Sequence, residues 1–290
     1  MCCAIVADSS TSKSRLSRIS LLQFCQTIGI SSGYIVGDYM FRKFGYLAVF
    51  SVSTGSHLLA ILYSLLRFPT QESSPSSPDQ DKEPSSVMST LRTSFSSLAS
   101  AELKLALPLL LVAMANFQLS KKTVSSALYM FTRRLFSWDE SRYSVYSMLL
   151  VMSGSAGSLL VLPLLSLRLA VDDWLLGVLA TVSWLNYLLV TGLSSSPATL
   201  YLAAGLGCLG YTTSVVVRSV LSKLAGRGST GAVFSLLAGV EALLPLVVSP
   251  LIAWLYSATV HVYPGATFVA VAAVLALNVP IFAVLYFVRK

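Results

Sequence analysis

Few side chains in this sequence can do chemistry, and those that can stand inside its most apolar runs. Glu241 lies within AVFSLLAGVEALLPLVVSPLIAWLY, about 14 Å along a helix from Ala232. An uncompensated carboxylate at bilayer depth costs about 2.5–3.5 kcal/mol on insertion scales, so a proton or a cation must neutralise it. A hydrogen bond between helices and a role in proton or substrate coupling both fit its position. Arg218, near the end of the preceding apolar run, is a candidate partner. Snorkelling of its guanidinium to a polar interface is the ordinary alternative.

Lys121 and Lys122 raise the same question. They follow Asn116 and Gln118 in LLLVAMANFQLSKKTVSSALYMF. Either the helix ends near Ser120 and leaves the lysines in a loop, or it continues and turns them towards a water-filled or anion-holding cavity, as buried ionisable groups usually are. His57 and His261 have no clustered ligands, and Cys2, Cys3, Cys25 and Cys208 are scattered over apolar segments and read as small buried hydrophobes. No metal-type spacing, phosphate loop or nucleophile–base pair is present, so neither cofactor, metal nor enzymatic activity is expected.

The elements that must position these groups follow from composition. The 290 residues are 55% hydrophobic and only 11% charged, against about 25% charged in soluble domains. The net charge of +8 carries no basic stripe interleaved with aromatics, which excludes nucleic acid as a partner and leaves the lipid bilayer. A helix needs about 20 apolar residues to cross the hydrocarbon core. Runs of that kind are Ile19–Met40, Gly45–Leu66, Leu105–Phe131, Tyr143–Leu167, Trp174–Gly192, Ala198–Leu221, Ala232–Tyr256 and Thr267–Val288. Between the second and third lies a Ser- and Pro-rich hydrophilic stretch, Pro69–Ala101, with the composition of a flexible linker. Lys and Arg are richer on the side bearing this linker and the C-terminus, which places both in the cytoplasm.

Met1–Ala7 is an apolar stub too short to cross, followed by Asp8 and the basic turn of Lys13, Arg15 and Arg18. Asp8, Arg15 and Arg18 could latch a cytoplasmic gate or form a solvated turn, and the turn of Arg168, Asp172 and Asp173 poses the same choice. If the stub is the end of a helix, the layout is an all-α transmembrane protein of the major facilitator type. Residues 1–67 would then be a partial N-terminal bundle, 68–103 a cytoplasmic linker and 104–290 a six-helix C-terminal bundle. Gly29, Gly33 and Gly37 recur every four residues on one face of the first run, which predicts close approach of another helix.

Three pieces near the C-terminus, Arg218–Lys223 (RSVLSK), Gly231–Pro245 (GAVFSLLAGVEALLP) and Tyr256–Ala266, resemble in order and spacing the solute carrier 46 family, the folate-transporter-like branch of the major facilitator superfamily. LYMFTRRLFSWDESRYSVYS, with Trp138 and Asp139, resembles that family's loop after helix seven, and VADSSTSKSRLSRISLL the end of helix four. The resemblance covers essentially the whole chain and implies one lacking the first three helices and most of the fourth. It further implies alternating-access transport of an organic solute, with protons as a candidate coupling ion, in the plasma or lysosomal membrane. Arg218 matches the family's helix-ten arginine. The folate-type histidine of helix seven has no counterpart in Ala115–Gln118, and the helix-five acidic residue is replaced by Gln23. The expected binding and coupling set is Arg218, Glu241, Lys121, Lys122, Gln118 and Asn116, acting on an anionic solute. A different reading is a non-transporting membrane protein that associates with or regulates a full-length homologue.

Overall fold

With no water in the hydrocarbon core, each apolar segment must satisfy its own backbone, which makes helix its outcome. The computed structural model describes residues 15–67, 101–161, 164, 172–225 and 230–289, and among them every regular element is helical. In chain order these are α1 (Arg15–Arg67), α2 (Ala101–Phe136), α3 (Glu140–Ala156) running into a π-helical turn (Gly157–Val161), α4 (Asp173–Gly192), α5 (Pro197–Leu206), α6 (Thr212–Ala225), α7 (Thr230–Thr259), α8 (Ala266–Ala276) and α9 (Asn278–Arg289). The N-terminal stub with Asp8, nearly all of the expected linker, and Arg168 lie outside the described residues.

Several expected rods are bent or broken, each for a local reason. The first two apolar runs form one helix interrupted at Gly45, whose φ of 75° and ψ of −176° fall where essentially only glycine is unstrained. The run Ala198–Leu221 is split into α5 and α6 by the glycine-containing turn 207–211. The run Thr267–Val288 breaks at Leu277, three residues before Pro280, which lacks a backbone donor and disturbs the preceding turn. Among the described residues five helical stretches, Phe24–Leu66, Glu140–Leu160, Asp173–Gly192, Val233–Thr259 and Ala266–Tyr286, are long and apolar enough to cross a membrane.

Packing centres on α4, which contacts α5, α6, α8 and α9, while α2 lies against α6, α7 and α8. At the centre Trp184 of α4 is buried, stacks on Tyr187 at 4.6 Å and donates from Nε1 to Ser120 Oγ at 2.8 Å. Trp138 and Asp139 close the α2–α3 connection. The Trp138 ring is buried against Tyr146 and Tyr201, and the Asp139 carboxylate accepts from the Arg142 amide at 3.1 Å as an N-cap.

α1 packs on α3 and α6 through polar side chains, not through its glycines. Ser155 donates to Thr27 at 2.7 Å and Ser141 to Asp38 at 3.0 Å. Among the described residues nothing lies within 4 Å of a Cβ placed on Gly29, Gly33 or Gly37, so the expected close helix is not found there. Cys25, on the same helix, is exposed rather than buried, and His57 is exposed with Nδ1 bonded to the Ser53 carbonyl at 2.7 Å. Among the glycines that do permit close approach are Gly154 of α3 and Gly157 of the π-helical turn. A Cβ on Gly154 would strike the Tyr211 ring, and one on Gly157 the carbonyl of Cys208, so α3 seats directly on the α5–α6 turn.

Candidate functional site

α2 runs unbroken through Lys121 and Lys122, which settles the choice between loop and helix for these residues. They stand near the middle of the helix and line a cavity of about 270 Å3, near the lower end of the range for small-molecule sites. α1 lends Gln26, Thr27 and Tyr34 to its wall, α2 adds Gln118, α3 Tyr143 and Ser147, and α4 Trp184. Tyr211, from the turn before α6, and Glu241 of α7 complete it. The cavity is thus walled both by α1 and by the helices that follow the linker.

Glu241 is neutralised by pairing. Arg218 Nη2 stands 2.6 Å from its Oε1, with 15% and 21% of the two side chains exposed. α6 and α7 are neighbours, and the pair joins their middles across 23 residues of sequence. A charge-assisted contact this short, so little exposed, is much less screened than a surface ion pair. Arg218 itself is not among the residues that line the cavity; it reaches it through Glu241.

Lys121 has no carboxylate against it among the described residues. Its ammonium lies 5.8 Å from the centroid of Phe117 and 5.3 Å from that of Tyr211, where ring quadrupoles hold a cation without neutralising it. With Lys122 beside it, the cavity carries two lysines and one ion pair and is net cationic. A net positive charge in a partly enclosed site attracts anions.

Not every residue expected at the site is there. Asn116 is turned away from the cavity and donates to Asn278 Oδ1 at 2.9 Å, while Asn278 donates to the Ala113 carbonyl at 2.9 Å. Its role is to hold α2 against the break between α8 and α9. Arg18 is exposed on α1, the side chain of Arg15 is not described and Asp8 lies outside the described residues, so the three expected gate residues are not brought together. Of the Asp172–Asp173 turn, Asp173 is taken up by Lys223 at 2.5 Å, tying the start of α4 to the end of α6. The aromatic wall of Tyr34, Tyr143, Trp184 and Tyr211 escaped sequence reasoning, because aromatics in apolar helices give no sign of which face they occupy.

The apolar helices meet at a charged mid-helix cavity. The profile of the Major Facilitator Superfamily matches residues 1–243. The chain belongs to the Major Facilitator Superfamily. Together with its apolar helices, this makes it an integral, multi-pass membrane protein of all-α fold. Within the superfamily, the chain is 26% identical over 269 residues to the "Probable peptidoglycan muropeptide transporter SLC46" of Drosophila melanogaster, an alignment covering 90% of this chain and 51% of that protein. It is 28% identical over 281 residues to the "Proton-coupled folate transporter" of Rattus norvegicus, covering 91% of this chain and 57% of that one. The resemblance to the solute carrier 46 family is thereby upheld, and the chain spans about half the length of the curated relatives it matches.

Proposed function

We propose that the protein takes part in membrane transport of an organic anion by alternating access, with the cavity at Lys121 and Lys122 as the solute site. One observation carries this reading: two lysines without carboxylate partners among the described residues open into a cavity beside the Arg218–Glu241 pair. In a low-dielectric interior such cations call for a counter-charge, and a solute anion supplies it. Gln118 and Ser147 offer neutral hydrogen-bonding groups beside the charge, and the aromatic rings cover the apolar part of the ligand. Glu241, paired with Arg218 at 2.6 Å, is taken as the group that couples a proton to the solute. Residues 1–67 and 104–290 are taken as the two units that rock about the site, joined by the linker on the cytoplasmic side.

The relatives suggest two solute classes to try first, folate and a peptidoglycan muropeptide. The experiment is uptake of each radiolabelled solute into proteoliposomes holding the 290-residue chain, at external pH 5.5 and 7.5. Uptake of either that is lost in Lys121→Ala supports the reading. Uptake equal to empty liposomes for both removes these solutes.

A second reading is favoured by the open glycine face of α1, where no described residue lies within 4 Å of a Cβ placed on Gly29, Gly33 or Gly37. On that reading the chain pairs in the membrane with a full-length homologue, which covers Gly29, Gly33 and Gly37. Co-purification with such a homologue, abolished by Gly33→Leu, is the matching test.

A further inference from the structure

We infer that a fixed indole closes the cavity to bulky solutes: Trp184, held in place by Ser120, sets an upper size limit, so that the site takes a compact, flat anion and rejects larger ones. The inference rests on the anion-site reading above and specifies the size class of its solute. It directs the search to anions smaller than folate or a muropeptide. At about 270 Å3 the cavity has space for on the order of ten water molecules. Sites for drug-sized ligands run from about 300 to 1,000 Å3. Volume alone decides little, because a yielding wall recedes before an entering solute. The wall on the α4 side does not yield.

The indole of Trp184 has a single donor, Nε1, and gives it to Ser120 Oγ at 2.8 Å. The Ser120 hydroxyl donates its own proton to the Phe117 carbonyl at 2.6 Å, so a lone pair faces the indole and the bond runs one way. Tyr187, which does not line the cavity, stacks on the indole at 4.6 Å with 22° between the planes. At the benzo edge the backbone stands so near that a Cβ on Gly210 would overlap the ring. Tyr211 meets the indole edge-on at 5.6 Å and is itself backed by Gly154. Displacing Trp184 therefore strands a buried N–H and disrupts close packing in one step. Across the cavity, Gln26, Thr27, Ile30 and Tyr34 of α1 form the opposite wall. That stretch of α1 is tied to α3 at both ends, Thr27 by Ser155 and Asp38 by Ser141. A solute wider than the gap must break one of these attachments, whereas a compact one reaches Lys121 and Lys122 with all of them intact.

Two monocarboxylates of equal charge and unequal size test this. Displacement of tritiated naphthalene-2-carboxylate from the full 290-residue chain in nanodiscs is followed with unlabelled naphthalene-2-carboxylate and with pyrene-1-carboxylate, each at its measured free concentration. Pyrene has the larger apolar surface, so an accommodating site would bind it more tightly. A rigid wall reverses the order, and pyrene-1-carboxylate is expected to bind about tenfold more weakly. Trp184→Ala should abolish the discrimination, with Trp184→Phe as the milder replacement where the alanine variant does not fold. Ser120→Ala, which takes the acceptor from the indole, should shift the affinity ratio several-fold towards pyrene. A residue that only stabilised the fold would lower both affinities and leave their ratio alone. Binding of pyrene-1-carboxylate as tight as that of the naphthalene probe, in the unmodified chain, overturns the inference and leaves the anion site standing. A ratio unchanged in both the Trp184 and the Ser120 variants removes the indole as the limit and also overturns it. Failure of the naphthalene probe to bind at all overturns the anion site as well.

Discussion

Gly154 of α3 lies against the ring of Tyr211, with no room between them for a methyl group. The same ring stands 5.3 Å from the ammonium of Lys121 and 5.6 Å from Trp184, edge-on. A helix-packing glycine thus sets the position of an aromatic side chain in the cavity wall, and the contact links fold and site directly.

Enlarging this residue should therefore disturb both. Gly154→Ala is expected to lower stability by about 1–3 kcal/mol, as overpacking usually does, and to weaken anion binding by displacing Tyr211. Gly29→Ala, with open space around its Cβ, should leave the melting temperature of the isolated chain unchanged or slightly raised. Thermal melts of the two variants in detergent check the contrast. Equal destabilisation would remove the distinction drawn between the two helices.

The Arg218–Glu241 pair should behave as a unit. Arg218→Ala or Glu241→Ala alone strands a charge with little access to water and is expected to cost roughly 3 kcal/mol. The double variant should lose less than the sum, because neither charge is left behind. A double-mutant cycle on chemical denaturation in micelles gives the coupling directly, and strict additivity would mean that the contact contributes nothing.

Asn278 should matter for stability and not for the solute. Asn278→Ala leaves the Asn116 amide and the Ala113 carbonyl without the bonds it supplies, a loss of about 1–3 kcal/mol. Because the pair lies off the cavity wall, anion affinity in the surviving folded fraction should be unchanged. A drop in affinity at constant stability would return Asn116 to the site.

How much of this was legible in the sequence depended on the range of each interaction. The apolar runs declared their helices because a membrane leaves the backbone little choice. The pairing of Glu241 with Arg218 was legible because a carboxylate at that depth demands a cation and Arg218 stands mid-way along the preceding helix. The breaks were marked by Gly45 and Pro280, but the continuous apolar character around them masked the signal. Asn116 was misplaced because its partner lies 162 residues away, a separation that local pattern cannot bridge. The glycine spacing of α1 was conspicuous and carries no contact, whereas Gly154 and Gly157 carry the packing without a regular repeat.

The central claim is that Lys121 and Lys122 make the cavity an anion site, and equilibrium binding to the pair of variants tests it most directly. Naphthalene-2-carboxylate should bind the unmodified 290-residue chain in nanodiscs, and the Lys121→Ala/Lys122→Ala chain at least tenfold more weakly, with melting temperatures alike. Equal affinity in the two folded proteins would contradict the account and locate the anion elsewhere.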